Sequence, residues 1–150
     1  MRVFDGIGDL RDATGTSLGR TDWLTIDQTR IDKFAEVSGD DLWLHIDAAR
    51  AAEGPFGKTI GHGYLTLSLL PYFLRQLYRI DGVRLTLNYG LNKVRFPAPV
   101  LVGARLRAAA EVTAVCVVKD GVEVVVRTTI DMEGSDRPAC VVESVTRSYE

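Results

Sequence analysis

Two periodicities divide the chain: a helical spacing of apolar residues up to about residue 80, and alternation with period two from residue 83 to 149. In the first part Ile31, Phe34 and Ala35 share one helical face. Thr25 or Asp27 stands where it can cap that helix, and Gly39 supplies its stop. A short helix is predicted from Asp47 through Ala48, Ala49, Ala51 and Ala52 to Gly54. Gly61-His62-Gly63 then opens a third, carrying Tyr64, Leu65, Leu67, Leu69, Leu70, Phe73, Leu74 and Leu77. Those residues fall on every face, which predicts a helix enclosed on most sides. Pro71 removes one backbone donor and predicts a bend.

In the second part Leu106, Ala108, Ala110, Val112, Ala114 and Cys116 share one strand face, opposite Arg105, Arg107, Glu111 and Thr113. Lys119-Asp120-Gly121 reads as a hairpin turn and Gly134-Ser135-Asp136 as a second turn. Val122, Val124, Val126, Thr128 and Ile130 continue the alternation between them. Residues 137 to 149 form a last strand with apolar residues in both phases, so its faces stay unassigned. Residues 83 to 96 form one long strand with a bulge or bend at Gly90, and an earlier strand lies around residues 20 to 26. A helix followed by four antiparallel strands, with an earlier fifth, predicts an α+β fold in which a curved sheet wraps the helix. Open sheet edges in such a fold predict a dimer.

Composition narrows the function classes. The 150 residues are 46% hydrophobic and 25% charged, as expected of a single globular domain spanning residues 1–150. Lys and Arg total 18 against 20 Asp and Glu, a net charge of −2, so no bulk positive charge recruits nucleic acid or a membrane surface. The longest apolar region, residues 64 to 74, is too short to span a bilayer, and no secretory leader is recognisable at the start. The two cysteines, Cys116 and Cys140, form neither a disulfide framework nor a zinc site. A cytoplasmic protein is therefore expected.

The chemistry concentrates in Phe34-Ala-Glu-Val-Ser-Gly-Asp-Asp-Leu-Trp-Leu-His-Ile-Asp47. A helix ends at Gly39, placing Asp40 and His45 in an irregular segment. A carboxylate and an imidazole on a loop between rigid helices can converge on one water and serve as general acid and base. Leu42, Trp43, Leu44 and Ile46 are expected to keep bulk solvent from the pair. The same residues also fit a plain helix stop followed by a cap at Asp47. His62, between two glycines at a helix start, reads first as structural. Backbone N–H groups around residues 61 to 64 can receive a developing negative charge.

Phe-x3-Ser-Gly-Asp-x4-His-x-Asp, followed by Gly-His-Gly before a leucine-rich helix, resembles the MaoC-like dehydratases and, within them, the (R)-specific enoyl-CoA hydratases. Asn88-Tyr-Gly-Leu-Asn-Lys-Val-Arg-Phe-Pro-Ala-Pro-Val100, with Gly103 beyond it, resembles the family's strand after the central helix. The resemblance covers about residues 20 to 148. It implies a hot-dog fold, a homodimer, and addition of water to a trans-2-enoyl-CoA to give the (R)-3-hydroxyacyl-CoA. It assigns the acid/base pair to Asp40 and His45 and the oxyanion donor to the backbone N–H of Gly63, and it places Ser68 in the pocket wall. Leu42, Trp43, His62 and Tyr64 join Ser68 as expected substrate contacts. Leu42 and Trp43 stand where many relatives carry Asn-Pro, and leucine cannot form the hydrogen bond that the Asn makes.

No cofactor or metal is called for, and the acyl-CoA thioester is substrate. Lys58, Arg84, Lys93 and Arg95 are the cations available to its phosphates, and Phe56 and Leu67 are further candidates for an apolar tunnel. Two rival readings are a hot-dog acyl-CoA thioesterase and a non-catalytic acyl-thioester-binding subunit. Residues 63 to 77 contain no Asp or Glu, which counts against the thioesterase.

Overall fold

The computed structural model describes residues 1–150. The chain begins with β1 (Arg2–Asp5), α1 (Gly6–Arg11), β2 (Ser17–Arg20) and β3 (Leu24–Thr25). Then come α2 (Gln28–Ser38), α3 (Trp43–Ile46), α4 (Ala48–Ala52), β4 (Ile60–Gly61), α5 (Gly63–Ser68) and α6 (Leu70–Leu77). The remainder is β5 (Tyr78–Asp81), β6 (Leu85–Arg95), β7 (Val100–Leu101), β8 (Arg105–Val118), β9 (Gly121–Met132) and β10 (Cys140–Tyr149). The predicted caps are in place. Asp27 accepts from the N–H of Arg30 at 2.8 Å, and Asp47 from that of Arg50 at 3.0 Å. Gly39 closes α2 in the left-handed region at φ 74°, where a Cβ would be strained.

The main sheet is antiparallel, ordered β2-β8-β9-β10-β6, with β3 also on β8. Its concave side wraps α5 and α6, which is the hot-dog arrangement. Leu65, Leu69, Leu70 and Phe73 pack on Leu106, Ala108, Ile130, Cys140 and Val142, with Ile31 of α2 closing one side. A second cluster forms where Leu77 meets Val112, Val122, Val124 and Val126. Three further members, Phe4, Ile7 and Leu10, come from the first ten residues, which the apolar spacing places in a helical half. They enter as β1, parallel to β5, and the short α1. No helix is long and apolar enough to cross a membrane.

Three expectations are corrected. Cys116 was expected on the core face of β8. A register shift between Val112 and Ala114 rotates the strand by one residue, so Val115 turns toward the core and Cys116 is exposed. The central helix is two helices, because Pro71 has no N–H to offer the carbonyl of Leu67 and the ladder breaks at Leu69. It is also not enclosed on most sides: Tyr64, Ser68, Pro71, Tyr72 and Arg75 form an exposed stripe along it.

In the unassigned last strand Cys140, Val142, Ser144, Thr146 and Ser148 are buried on the inner face of β10, and Val145 of the other phase is buried as well. Opposite them on β6 stand Val94, Leu91, Asn88 and Thr86, and two register shifts, at Tyr89 and Asn92, flank the expected irregularity at Gly90. β6 is an edge. Leu85, Leu87, Tyr89 and Leu91 are exposed along it, from 37% to 60%. Between β6, β10 and the open stripe of the helices lies a cavity of about 650 Å³, lined by Leu67, Ser68, Leu74, Asn88, Leu91 and Thr146 among others.

Candidate active site

The site is assembled from the two ends of the α2-to-α5 segment. At the end of α2 the hydroxyl of Ser38 donates to the carbonyl of Phe34 at 2.7 Å and accepts the N–H of Asp40 at 3.2 Å. The stretch after Asp40, expected to be irregular throughout, winds into the single turn α3, held by the N–H of His45 on the carbonyl of Leu42 at 2.8 Å. That turn swings the His45 side chain inward, while Asp40 remains half exposed at 51%.

Each ring nitrogen of His45 has a defined role. Nδ1 lies 2.7 Å from the carbonyl of Ile60 in β4, and because a carbonyl only accepts, Nδ1 carries the proton. Nε2 then presents its lone pair toward Oδ2 of Asp40, 3.9 Å away. That separation is too long for a direct hydrogen bond. The backbone of His45 is anchored too. The amide of Gln28 donates to its carbonyl at 2.7 Å, and the hydroxyl of Thr59 holds the other end of that amide. Gln28 and Thr59 are residues that sequence reasoning missed, since nothing in spacing connects positions 28, 45 and 59.

His62 joins the pair. Its ring stacks on that of His45 with centroids 3.7 Å apart and planes 23° from parallel. Its Nε2 donates to the backbone carbonyl of Asp40 at 2.8 Å. Asp40, His45 and His62 each bring one potential ligand atom within 4.8 Å of the others. The donor set nevertheless does not fit a metal: Nε2 of His62 carries the proton it gives to Asp40 and has no lone pair to offer a cation.

Gly63 is the first residue of α5, where a backbone N–H has no intrahelical acceptor. It lines a cleft of about 300 Å³ together with His45, Phe56, Thr66, Phe96 and Val100. The structure thus brings together Asp40, His45, His62 and Gly63. Ser68 faces the larger cavity and donates its hydroxyl to the carbonyl of Leu65 at 2.7 Å. Trp43 packs against Gly54 beneath the guanidinium of Arg50, 4.5 Å from its ring. Tyr64 is 71% exposed and meets Phe96 edge to face. Contrary to expectation, Leu42 and Ile46 do not shield the pair from solvent. Both are exposed, because the single turn of α3 has only one buried side and His45 takes it.

Residues 9–133 match the MaoC like domain family. The chain is 51% identical over 148 residues to the 3-hydroxyacyl-thioester dehydratase Z of Mycobacterium tuberculosis strain H37Rv, covering 98% of each chain. Among solved structures, the (R)-hydratase from A. caviae involved in PHA biosynthesis aligns with a TM-score of 0.72 at 30% identity, over 89% of this chain and 94% of that one. The monoamine oxidase regulatory protein from Archaeoglobus fulgius shares the fold, with a TM-score of 0.80 at 22% identity over 99% and 97% of the two chains.

Proposed function

The chain belongs to the MaoC-like domain family, and from that premise we propose that it is an (R)-specific enoyl-CoA hydratase. It adds water reversibly to a trans-2-enoyl-CoA to give the (R)-3-hydroxyacyl-CoA. The observation that carries this reading is the convergence of Oδ2 of Asp40 and Nε2 of His45, 3.9 Å apart, in a site whose His45 shares a cleft with Gly63. The 51% identity to a 3-hydroxyacyl-thioester dehydratase supports the reaction class.

Both facing atoms accept hydrogen bonds, so a single water about 2.8 Å from each would donate both of its protons to them. That leaves its lone pairs directed at C3 of the substrate. As the O–C3 bond forms, the π electrons of C2=C3 move onto the thioester carbonyl and make an enolate. The proton lost by the water passes to the Asp40–His45 pair and is returned to C2 on the same face as the carbonyl re-forms. The N–H of Gly63 receives the enolate oxygen, an interaction of the kind that contributes about 3–4 kcal/mol to such transition states. Dehydration runs the same steps backwards.

The acyl chain extends into the cavity beside Leu67 and Ser68. The working unit is a homodimer, supported by the unpaired edge of β6 and by the exposed stripe of the central helices that borders the same cavity. Incubation with crotonyl-CoA tests the activity. Loss of enoyl absorbance without free thiol is the expected result, release of CoA identifies a thioesterase, and saturable binding without turnover identifies a binding subunit.

A further inference from the structure

We propose that His62 is a positioning residue of the acid/base pair, and that His45 and His62 work as a stack locked in opposite tautomers. Three observations carry this. Nε2 of His62 must donate to the carbonyl of Asp40, whereas on His45 it is Nδ1 that must donate, to Ile60. The second nitrogen of His62, Nδ1, is buried without any partner, so the hydrogen bond that the structure demands of this ring is made at Nε2 alone. The ring is also wedged, with His45 on one face at 3.7 Å and Phe34 against it at 4.9 Å.

The consequence is geometric. Asp40 is on a half-exposed loop, and besides its own helix end the contact from His62 is what holds its backbone. The same ring sets the plane of His45. One side chain therefore braces both the backbone that carries the carboxylate and the face of the imidazole, and with them the 3.9 Å separation on which the shared water depends. Its Nε2 stands 4.0 Å from Oδ2 of Asp40, beyond hydrogen-bond reach, and its one donor is spent on a backbone carbonyl, so its role is to position and not to transfer protons.

The kinetic arm of the test rests on the proposed hydration, and the spectroscopic arm does not. The chain has only two histidines, so imidazole ¹⁵N spectra of the intact protein at neutral pH resolve both. The expected spectrum has one ring protonated at Nδ1 and the other at Nε2, and His62→Gln removes the Nε2–H signal. Two rings in the same tautomer would overturn the proposal. In crotonyl-CoA hydration, His62→Phe keeps bulk and stacking but loses the donor. It should lower kcat about tenfold or more with KM within about twofold, while His62→Gln, whose amide can still donate, should stay within about threefold of wild-type kcat. A His62→Phe protein with wild-type kcat, or the two variants failing alike with equal losses in melting temperature, would also overturn it. Absence of hydration in the wild-type protein would reject the proposed function and leave the tautomers to decide this inference.

Discussion

The ring of Phe96 lies against the α-carbon of Gly63, so close that a Cβ at position 63 would stand 3.1 Å from Cδ2 of the ring. The pairing brings the turn after β6 onto the start of α5 and leaves the N–H of Gly63 beside the cleft that His45 lines. Any side chain at residue 63 must push the ring or tilt the helix start. Gly63→Ala is therefore expected to fold but to lose about tenfold or more in kcat/KM, since misplacing the proposed oxyanion donor costs transition-state binding. Adding Phe96→Leu should restore part of the loss, and steady-state kinetics on crotonyl-CoA with a thermal melt of each variant checks both.

Removing either member of the proposed acid/base pair should abolish turnover with little effect on folding. Asp40→Asn changes a half-exposed carboxylate, so its stability should stay within about 0.5 kcal/mol of wild type. His45→Gln gives up the bond to Ile60 and should cost about 1 kcal/mol. Near wild-type activity in either variant would refute the mechanism.

Leu42→Asn puts a hydrogen-bonding side chain at the position that the resemblance to the family marks as polar. Leu42 is 49% exposed and caps α3 only through its backbone, so the substitution is structurally free. Activity should hold or rise, by up to about tenfold if the amide helps orient the water, a gain equal to one charge-assisted contact. A collapse in kcat would mean that the leucine belongs to a pocket of different design.

The exposed apolar edge makes a prediction about mass. Wild-type protein should sediment as a dimer, and combining Leu87→Glu with Leu91→Glu, on opposite faces of β6, should yield a folded monomer. A wild-type protein that sediments as a monomer at micromolar concentration would remove the homodimer from the proposal.

The two thiols should differ sharply. Cys116 is exposed, whereas Cys140 is fully buried on the inner face of β10 and burial pushes its thiol up to about 11. A thiol reagent at pH 8 should titrate one group in the native protein and two after unfolding. Because the folded pKa is the higher one, the associated stability is intact below the ordinary value of 9.0 and is lost as pH climbs toward 11. Cys140→Ala should flatten that alkaline decline in melting temperature.

Much of the site was legible along the chain because its parts are local. Gly39 ends α2 by its own backbone preference, Asp40 follows directly, and Asp47 caps α4, so the segment carrying Asp40 and His45 is fixed by short-range geometry. The alternation of β9 and the turn at Lys119-Asp120 are local in the same sense, and both are present. The tautomer of His45 is not, since it depends on a carbonyl fifteen residues away in β4. Nor is the task of His62, whose partner lies 22 residues earlier, nor the support of Gln28 and Thr59. Spacing reports which residues share a face of their own element. It carries no information about which foreign backbone that face will meet. The same limit explains Cys116 and the open stripe of the central helices: a one-residue register shift in β8 and the reach of the sheet around the helix are settled only when the strands pair. The sequence by itself determined the local elements that carry Asp40 and His45 and the alternation of the long strands that wrap the central helices. Tertiary structure decided how those residues are held, because long-range hydrogen bonds and ring stacking exist only after the chain has closed on itself.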